Sequence, residues 1–82
     1  MPKVLEIIYG ISVYIYFKDH NPPHVHVYYG NAKNHEAAMI LKIGSWEVLE
    51  VNGFTQKDVR LVIEELKKRE HILMEKWNEY KE

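Results

Sequence analysis

A double proline, Pro22-Pro23, separates two alternating segments and constrains the fold more than any other feature of this chain. Two consecutive prolines fix two φ angles and remove two backbone donors, so no helix can run through this point. Residues 11–17 before it and residues 24–29 after it are rich in β-branched and aromatic side chains, as strands are. The sequence therefore predicts two strands joined by an extended turn, in which Asn21 is held extended by the proline that follows it.

Side chains of a strand point alternately to two faces of the sheet. One face of this pair of strands is apolar, and we expect it to form the core: Val13, Ile15, Val25 and Val27. The opposite face collects aromatic and imidazole side chains: Tyr14, Tyr16, His24, His26 and Tyr28. His24 and His26 would lie roughly 7 Å apart along their strand. A face of this composition is the predicted functional surface.

Turn signals at Gly30-Asn31 and Gly44-Ser45 bound further strands over residues 36–43 and 46–51, and residues 3–9 can form a first strand. A helix is predicted from Thr55, because Thr55 and Asp58 fit a capping box. Helical apolar spacing continues to Tyr80, and no Gly or Pro interrupts it. We therefore expect one α+β domain over residues 1–82: an antiparallel sheet of four or five strands with one long C-terminal helix packed on one face.

The length of that helix raises a question of its own. About 26 helical residues would span roughly 39 Å, whereas a domain of this size is about 25 Å across. Either the helix breaks near residues 69–71, or its end protrudes with Leu73, Trp77 and Tyr80 as an interface. A second copy of this chain, forming a homodimer, is then the simplest partner for this interface. A different protein is the next simplest.

Composition narrows the classes of function. The chain has 82 residues, a net charge of −1 and no cysteine. Thiolate metal sites and disulfides are excluded, and no general electrostatic attraction to nucleic acid is expected. We expect no signal peptide and no membrane-spanning segment, and a cytoplasmic location.

Three histidines around the double proline allow two kinds of chemistry. His20, His24 and His26 could ligate a divalent transition metal such as zinc, because three protein ligands and a water make a catalytic zinc site. Without a cofactor, the same histidines could instead act as acid and base on RNA, since imidazole exchanges protons near neutral pH. Tyr14, Tyr16 and Tyr28 would then stack bases, and Lys18 would contact phosphate.

Two readings without chemistry remain open beside these. The protein could be an interaction module that binds a partner protein or RNA through this face or through the helix end. The histidines could also be purely structural, with the prolines shaping a turn. His35 and His71 are interpreted as ordinary surface residues, and Trp46 and Trp77 as packing residues.

The segment His20-Asn21-Pro22-Pro23-His24-Val25-His26-Val27 also carries a resemblance. It is similar to the signature of a small bacterial family catalogued as domain of unknown function 4160. The layout around it is similar too: an N-terminal hairpin, further strands and a C-terminal helix with a late tryptophan, here Trp77. The resemblance implies a toxin–antitoxin-like role with a cognate small protein from a paired gene, and it implies no catalytic assignment.

Overall fold

The sheet and the helices follow one another along the chain. The structure is a computed structural model that describes the backbone of residues 3–7, 10–16 and 22–80, with side chains from residue 10 onward. The strands are β1 (Lys3–Ile7), β2 (Ile11–Tyr14), β3 (His24–Gly30), β4 (His35–Lys42) and β5 (Val48–Asn52). The helices are α1 (Gln56–Lys67) and α2 (Glu70–Tyr80). Each strand pairs antiparallel with the next, so the five-stranded sheet has the order β1-β2-β3-β4-β5 and the α+β prediction is confirmed.

The core lies between one face of the sheet and both helices. The four valine and isoleucine side chains predicted to face inward are fully buried: Val13, Ile15, Val25 and Val27. They pack in one cluster with helical side chains from α1 and α2: Val62, Leu66, Leu73 and Trp77. Burial of this apolar area is the main favourable contribution to folding, and it leaves the other face of β2 and β3 to the tyrosines and histidines.

Helix α1 begins as its sequence predicts. The Asp58 backbone N–H donates to Thr55 Oγ1 over 3.1 Å, and the Thr55 N–H donates to Asp58 Oδ2 over 3.3 Å. This reciprocal capping box satisfies backbone donors that the first helical turn leaves without intrahelical partners.

The prediction of one long C-terminal helix is wrong. The alternative of a break near residues 69–71 is confirmed, because the helix breaks at Lys68 and Arg69. The Arg69 backbone N–H donates to Leu66 O over 2.9 Å, which tightens the last turn of α1. Its guanidinium Nη1 also donates to Glu65 O over 2.9 Å, and so satisfies a carbonyl at the helix end. The longest dimension of the domain is 32 Å, less than the roughly 39 Å of an unbroken helix. The break returns Leu73 to the core.

Trp46 ties the turn between β4 and β5 to the start of α2. It is 6% exposed, as expected of a packing residue, and its backbone has a positive φ of 61°. Its indole Nε1–H donates to Glu70 Oε1 over 3.0 Å. None of the helices in the described part of the chain is long and apolar enough to cross a membrane.

Candidate functional site

Strand pairing assembles the tyrosines and histidines into one surface. Tyr14 of β2 lies opposite His26 of β3, and Ser12 lies opposite Tyr28. Because β3 alternates, His24, His26 and Tyr28 point to the same side of the sheet, away from the buried valines. We call this surface, with Tyr14, Tyr16 and His35, the histidine–tyrosine face.

Ring contacts connect the members of this face. The ring centroids of His24 and His26 are 5.1 Å apart, and those of His26 and Tyr16 are 4.5 Å apart. Tyr14 stands edge-on to Tyr28 at 5.5 Å. The hydroxyl oxygens of Tyr16 and Tyr28 are 2.6 Å apart, a short hydrogen bond in a half-buried setting. These contacts restrict the rotamers of the rings, so the face is largely preformed.

The double proline orients His24. Its Nδ1 lies 2.8 Å from the carbonyl oxygen of Pro22. Because a carbonyl only accepts, Nδ1 must donate and carries the proton, and in the neutral ring the lone pair is on Nε2. A backbone carbonyl that fixes the tautomer in this way is common for histidines that exchange protons or bind metals.

A lysine lies beside the histidines. Lys42 of β4 is the cross-strand partner of His24. It is half-buried, and its Nζ is 3.5 Å from Glu47 Oε1. A cation at this position is the kind of group that contacts phosphate. Sequence reasoning missed Lys42 because only the register of β3 and β4 brings it to His24.

His35 joins the face because of a β-bulge. Tyr29 pairs with Ala37 but Gly30 pairs with His35, so Glu36 is the extra residue in β4. The bulge shifts the alternation and turns His35 toward Tyr28, with ring centroids 4.5 Å apart. His35 is exposed, as predicted for a surface residue, and its ring also contacts Tyr28 on this face. Local sequence gives no signal for the bulge beyond the Gly30-Asn31 turn.

A small pocket of about 160 Å³ adjoins the face on its β4 and β5 side. Its lining side chains come from three neighbouring strands: His26, Tyr28, Ala38, Met39, Ile40, Glu50 and Asn52. Glu50 pairs with Ile40 and Asn52 pairs with Ala38, which places both polar side chains on the histidine–tyrosine side of the sheet. Their spacing in the sequence is typical of one strand face, but their position beside Tyr28 depends on the register of three strands.

The remaining predicted site residues are placed as follows. His20 and Lys18 lie outside the described residues. Tyr14 is 8% exposed, so its ring is enclosed by its neighbours and supports the face rather than offering a surface for stacking. Among the described residues, no group of three His, Cys, Asp or Glu side chains is arranged to hold a metal ion.

The interface predicted at Leu73, Trp77 and Tyr80 required a protruding helix end. Leu73 is 0% and Trp77 1% exposed, and both belong to the core cluster. Tyr80 is partly buried against the same cluster. The break between α1 and α2 removes the protrusion on which that interface depended.

Comparison with known proteins identifies the family. Residues 10–78 match the family described as a domain of unknown function, DUF4160. The chain belongs to this family. The match includes His24, His26 and Trp77. The resemblance seen in the proline–histidine segment therefore extends over most of this chain. No curated protein and no solved structure matches it.

Proposed function

We propose that the protein binds single-stranded RNA on its histidine–tyrosine face and cleaves it with His24 and His26, as one component of a toxin–antitoxin-like pair. The observation that carries the proposal is the adjacency of the two imidazoles, 5.1 Å between centroids, on a face that also presents Tyr16 and Tyr28. Proteins recognise single-stranded RNA by stacking unpaired bases on aromatic rings and by hydrogen bonds to base edges.

The chemistry follows from the two histidines and the nearby lysine. One imidazole takes the proton of a ribose 2′-hydroxyl, whose oxygen attacks the adjacent phosphorus. The other imidazolium protonates the departing 5′-oxygen, so the phosphodiester is exchanged for a cyclic phosphate and a free hydroxyl. Lys42, opposite His24, would offset the charge on the phosphate. The net proton balance of the step is zero.

The test is cleavage of a short RNA carrying a fluorophore and a quencher by the protein and by His24→Gln and His26→Gln. Each substitution should lower the rate on the order of 100-fold or more, because general acid–base catalysis contributes about 10²–10⁴-fold. RNA with 2′-O-methyl groups should be bound but left intact. His71→Gln, an exposed change on α2, is the matched control and should keep full activity.

Three outcomes separate the parts of the proposal. Cleavage that survives when His24→Gln and His26→Gln are combined in one protein would come from another nuclease and would remove the catalytic assignment. Binding without cleavage would leave an RNA-binding module. Absence of RNA binding by the unaltered protein would overturn the proposal altogether. An unchanged far-ultraviolet circular dichroism spectrum shows that each variant folds.

Self-association is a second candidate function, and the exposed apolar side chains of the edge strand β5 favour it. This strand is at the edge of the sheet, and Val48, Leu49 and Val51 are 38%, 46% and 43% exposed. Val48 and Val51 line an apolar groove of about 410 Å³ between β5 and α1. Unpaired edge strands are templates for pairing, and two copies of β5 can pair antiparallel about a two-fold axis, which closes the assembly.

Sedimentation equilibrium tests this second candidate. The mass should approach that of a dimer with rising concentration, and Val51→Lys should return it to that of a monomer because a buried lysine opposes the contact. Leu61→Lys, at a 51% exposed position on α1 outside the groove lining, is the control. A monomeric mass at all concentrations would contradict self-association.

A further inference from the structure

We infer that the small pocket beside Tyr28 is a base-recognition subsite for guanine, with Glu50 as the residue that determines the preference. The inference rests on the proposed function, because it assigns the pocket to one base of the RNA on the histidine–tyrosine face. Its volume of about 160 Å³ lies well below the roughly 300–1,000 Å³ of pockets that hold drug-sized ligands. One planar base therefore suits it better than a whole nucleotide.

The lining has the distribution of polar and apolar groups that a base requires. Ala38 and Ile40 form an apolar floor, while His26 and Tyr28 form an aromatic wall. Tyr28 is held by the hydroxyl of Tyr16 and by its contact with His35. A wall fixed in this way loses little conformational freedom when a ring packs against it, which lowers the cost of binding.

The remaining lining groups select among the bases. Glu50 and Asn52 are neighbours on one face of β5, roughly 7 Å apart along the strand. An ionised carboxylate only accepts hydrogen bonds, and it has two oxygens that can accept side by side. Of the four bases, only guanine presents two adjacent donors on its Watson–Crick edge, the N1–H and the N2 amino group. The Asn52 amide can donate to the O6 acceptor beside them.

The other bases do not present two adjacent donors to the two carboxylate oxygens of Glu50. Uracil offers one N–H between two carbonyl oxygens, which would face the carboxylate with like partial charge. Adenine and cytosine each offer one amino group next to a ring-nitrogen acceptor. A pocket that hydrogen-bonds a particular edge rejects analogues that lack it, because its own polar groups are then left without partners.

The experiment compares two short RNA oligonucleotides by fluorescence anisotropy, oligo-A and oligo-A with one central guanine, both with 2′-O-methyl groups so that they are bound but not cleaved. The guanine-containing strand should bind about tenfold more tightly, since a good bidentate pair discriminates by roughly this factor or more. Glu50→Gln replaces one accepting oxygen with a donor, so it should abolish the preference while affinity for oligo-A does not fall. Glu64→Gln makes the same change of charge at an exposed position on α1 and should leave the preference intact.

The result distinguishes this inference from the function on which it rests. Binding of both strands with equal affinity, or a guanine preference that Glu50→Gln leaves unchanged, would overturn the guanine subsite and leave RNA binding in place. Failure to bind either strand would overturn both. Perturbation of the Glu50 and Asn52 amide resonances by guanosine monophosphate, but not by adenosine monophosphate, would support the subsite with mononucleotides alone.

Discussion

The imidazole of His24 lies against the indole of Trp77, with ring centroids 5.2 Å apart. Trp77 belongs to α2 and is 1% exposed, so the C-terminal helix supports the candidate site from the core side. No hydrogen-bond acceptor for its indole N–H is found within the described ranges, so the ring contributes by packing. Trp77, which sequence analysis also considered as part of an interface at a protruding helix end, thus packs against one of the two proposed catalytic histidines.

Trp77→Ala should lower the free energy of unfolding by about 3–5 kcal/mol, because it removes a large buried side chain and leaves a cavity. Ile72→Ala, at a 40% exposed position on the same helix, should cost less than about 1 kcal/mol. Urea denaturation followed by circular dichroism measures both. Equal effects of the two substitutions would mean that Trp77 is not a core residue.

The hydroxyl pair of Tyr16 and Tyr28 should behave as one coupled unit. Either Tyr→Phe change removes the 2.6 Å hydrogen bond between the two half-buried hydroxyls, and should cost about 1 kcal/mol. The double change should cost less than the sum of the two, since this one hydrogen bond can be lost only once. Tyr29→Phe, at a 46% exposed ring, is the control. Strict additivity in the double-mutant cycle would contradict the coupling.

Gly30 and Gly44 provide a matched pair that tests the bulge beneath His35. Both have positive φ, +119° and +103°, so alanine is strained at either position. At Gly44 an added Cβ meets no heavy atom within 4 Å, and Gly44→Ala should cost about 1–3 kcal/mol.

At Gly30 an added Cβ would collide with the Asn34 carbonyl oxygen. Gly30→Ala should therefore lower the stability clearly more than Gly44→Ala does, and should shift the His35 and Tyr28 resonances. Thermal unfolding of both variants measures the loss of stability, and two-dimensional NMR measures the shifts of the His35 and Tyr28 resonances. An equal loss of stability, with His35 unmoved, would count against the bulge geometry.

The ion pairs at the end of α1 predict a pH dependence. Lys68 Nζ donates to Glu65 Oε2 over 3.1 Å and, with a smaller effect from Arg69, holds the pKa of Glu65 below its usual value of 4.5. A lowered folded pKa means that the carboxylate stabilises the fold above about pH 4.5 and that this contribution is lost as the pH falls through the lower value.

Carbon-detected NMR titration of Glu65 measures this pKa directly. Lys68→Met should raise it toward 4.5, and high salt should do the same because both side chains of the pair reach solvent. A Glu65 pKa at or above 4.5 in the unaltered protein would show that the ion pair does not form in solution.

Local patterns were enough to predict the two faces of the central strands. Alternation along residues 24–29 separated His24 and His26 from the buried Val25 and Val27, and the Thr55 capping box marked the start of α1 correctly. These features depend on neighbouring residues in the chain, whose backbone geometry and polarity act within a turn or two.

Other features were out of reach of local patterns. No Gly or Pro in the sequence marks the helix break at Lys68 and Arg69. It depends on Arg69 reaching back to Glu65 and on a core into which Leu73 must return.

By itself, the sequence determined the α+β class, the tyrosines and the two histidines that share one face of the central strands, and the beginning of the first helix. Only the tertiary structure decided that His35 joins this face, that Glu50 and Asn52 border it, and that Trp77 supports it from within. The physical reason is that these three contacts depend on strand register and helix docking. Both are set by the packing of residues far apart in the chain, and a local pattern of side chains leaves both undetermined.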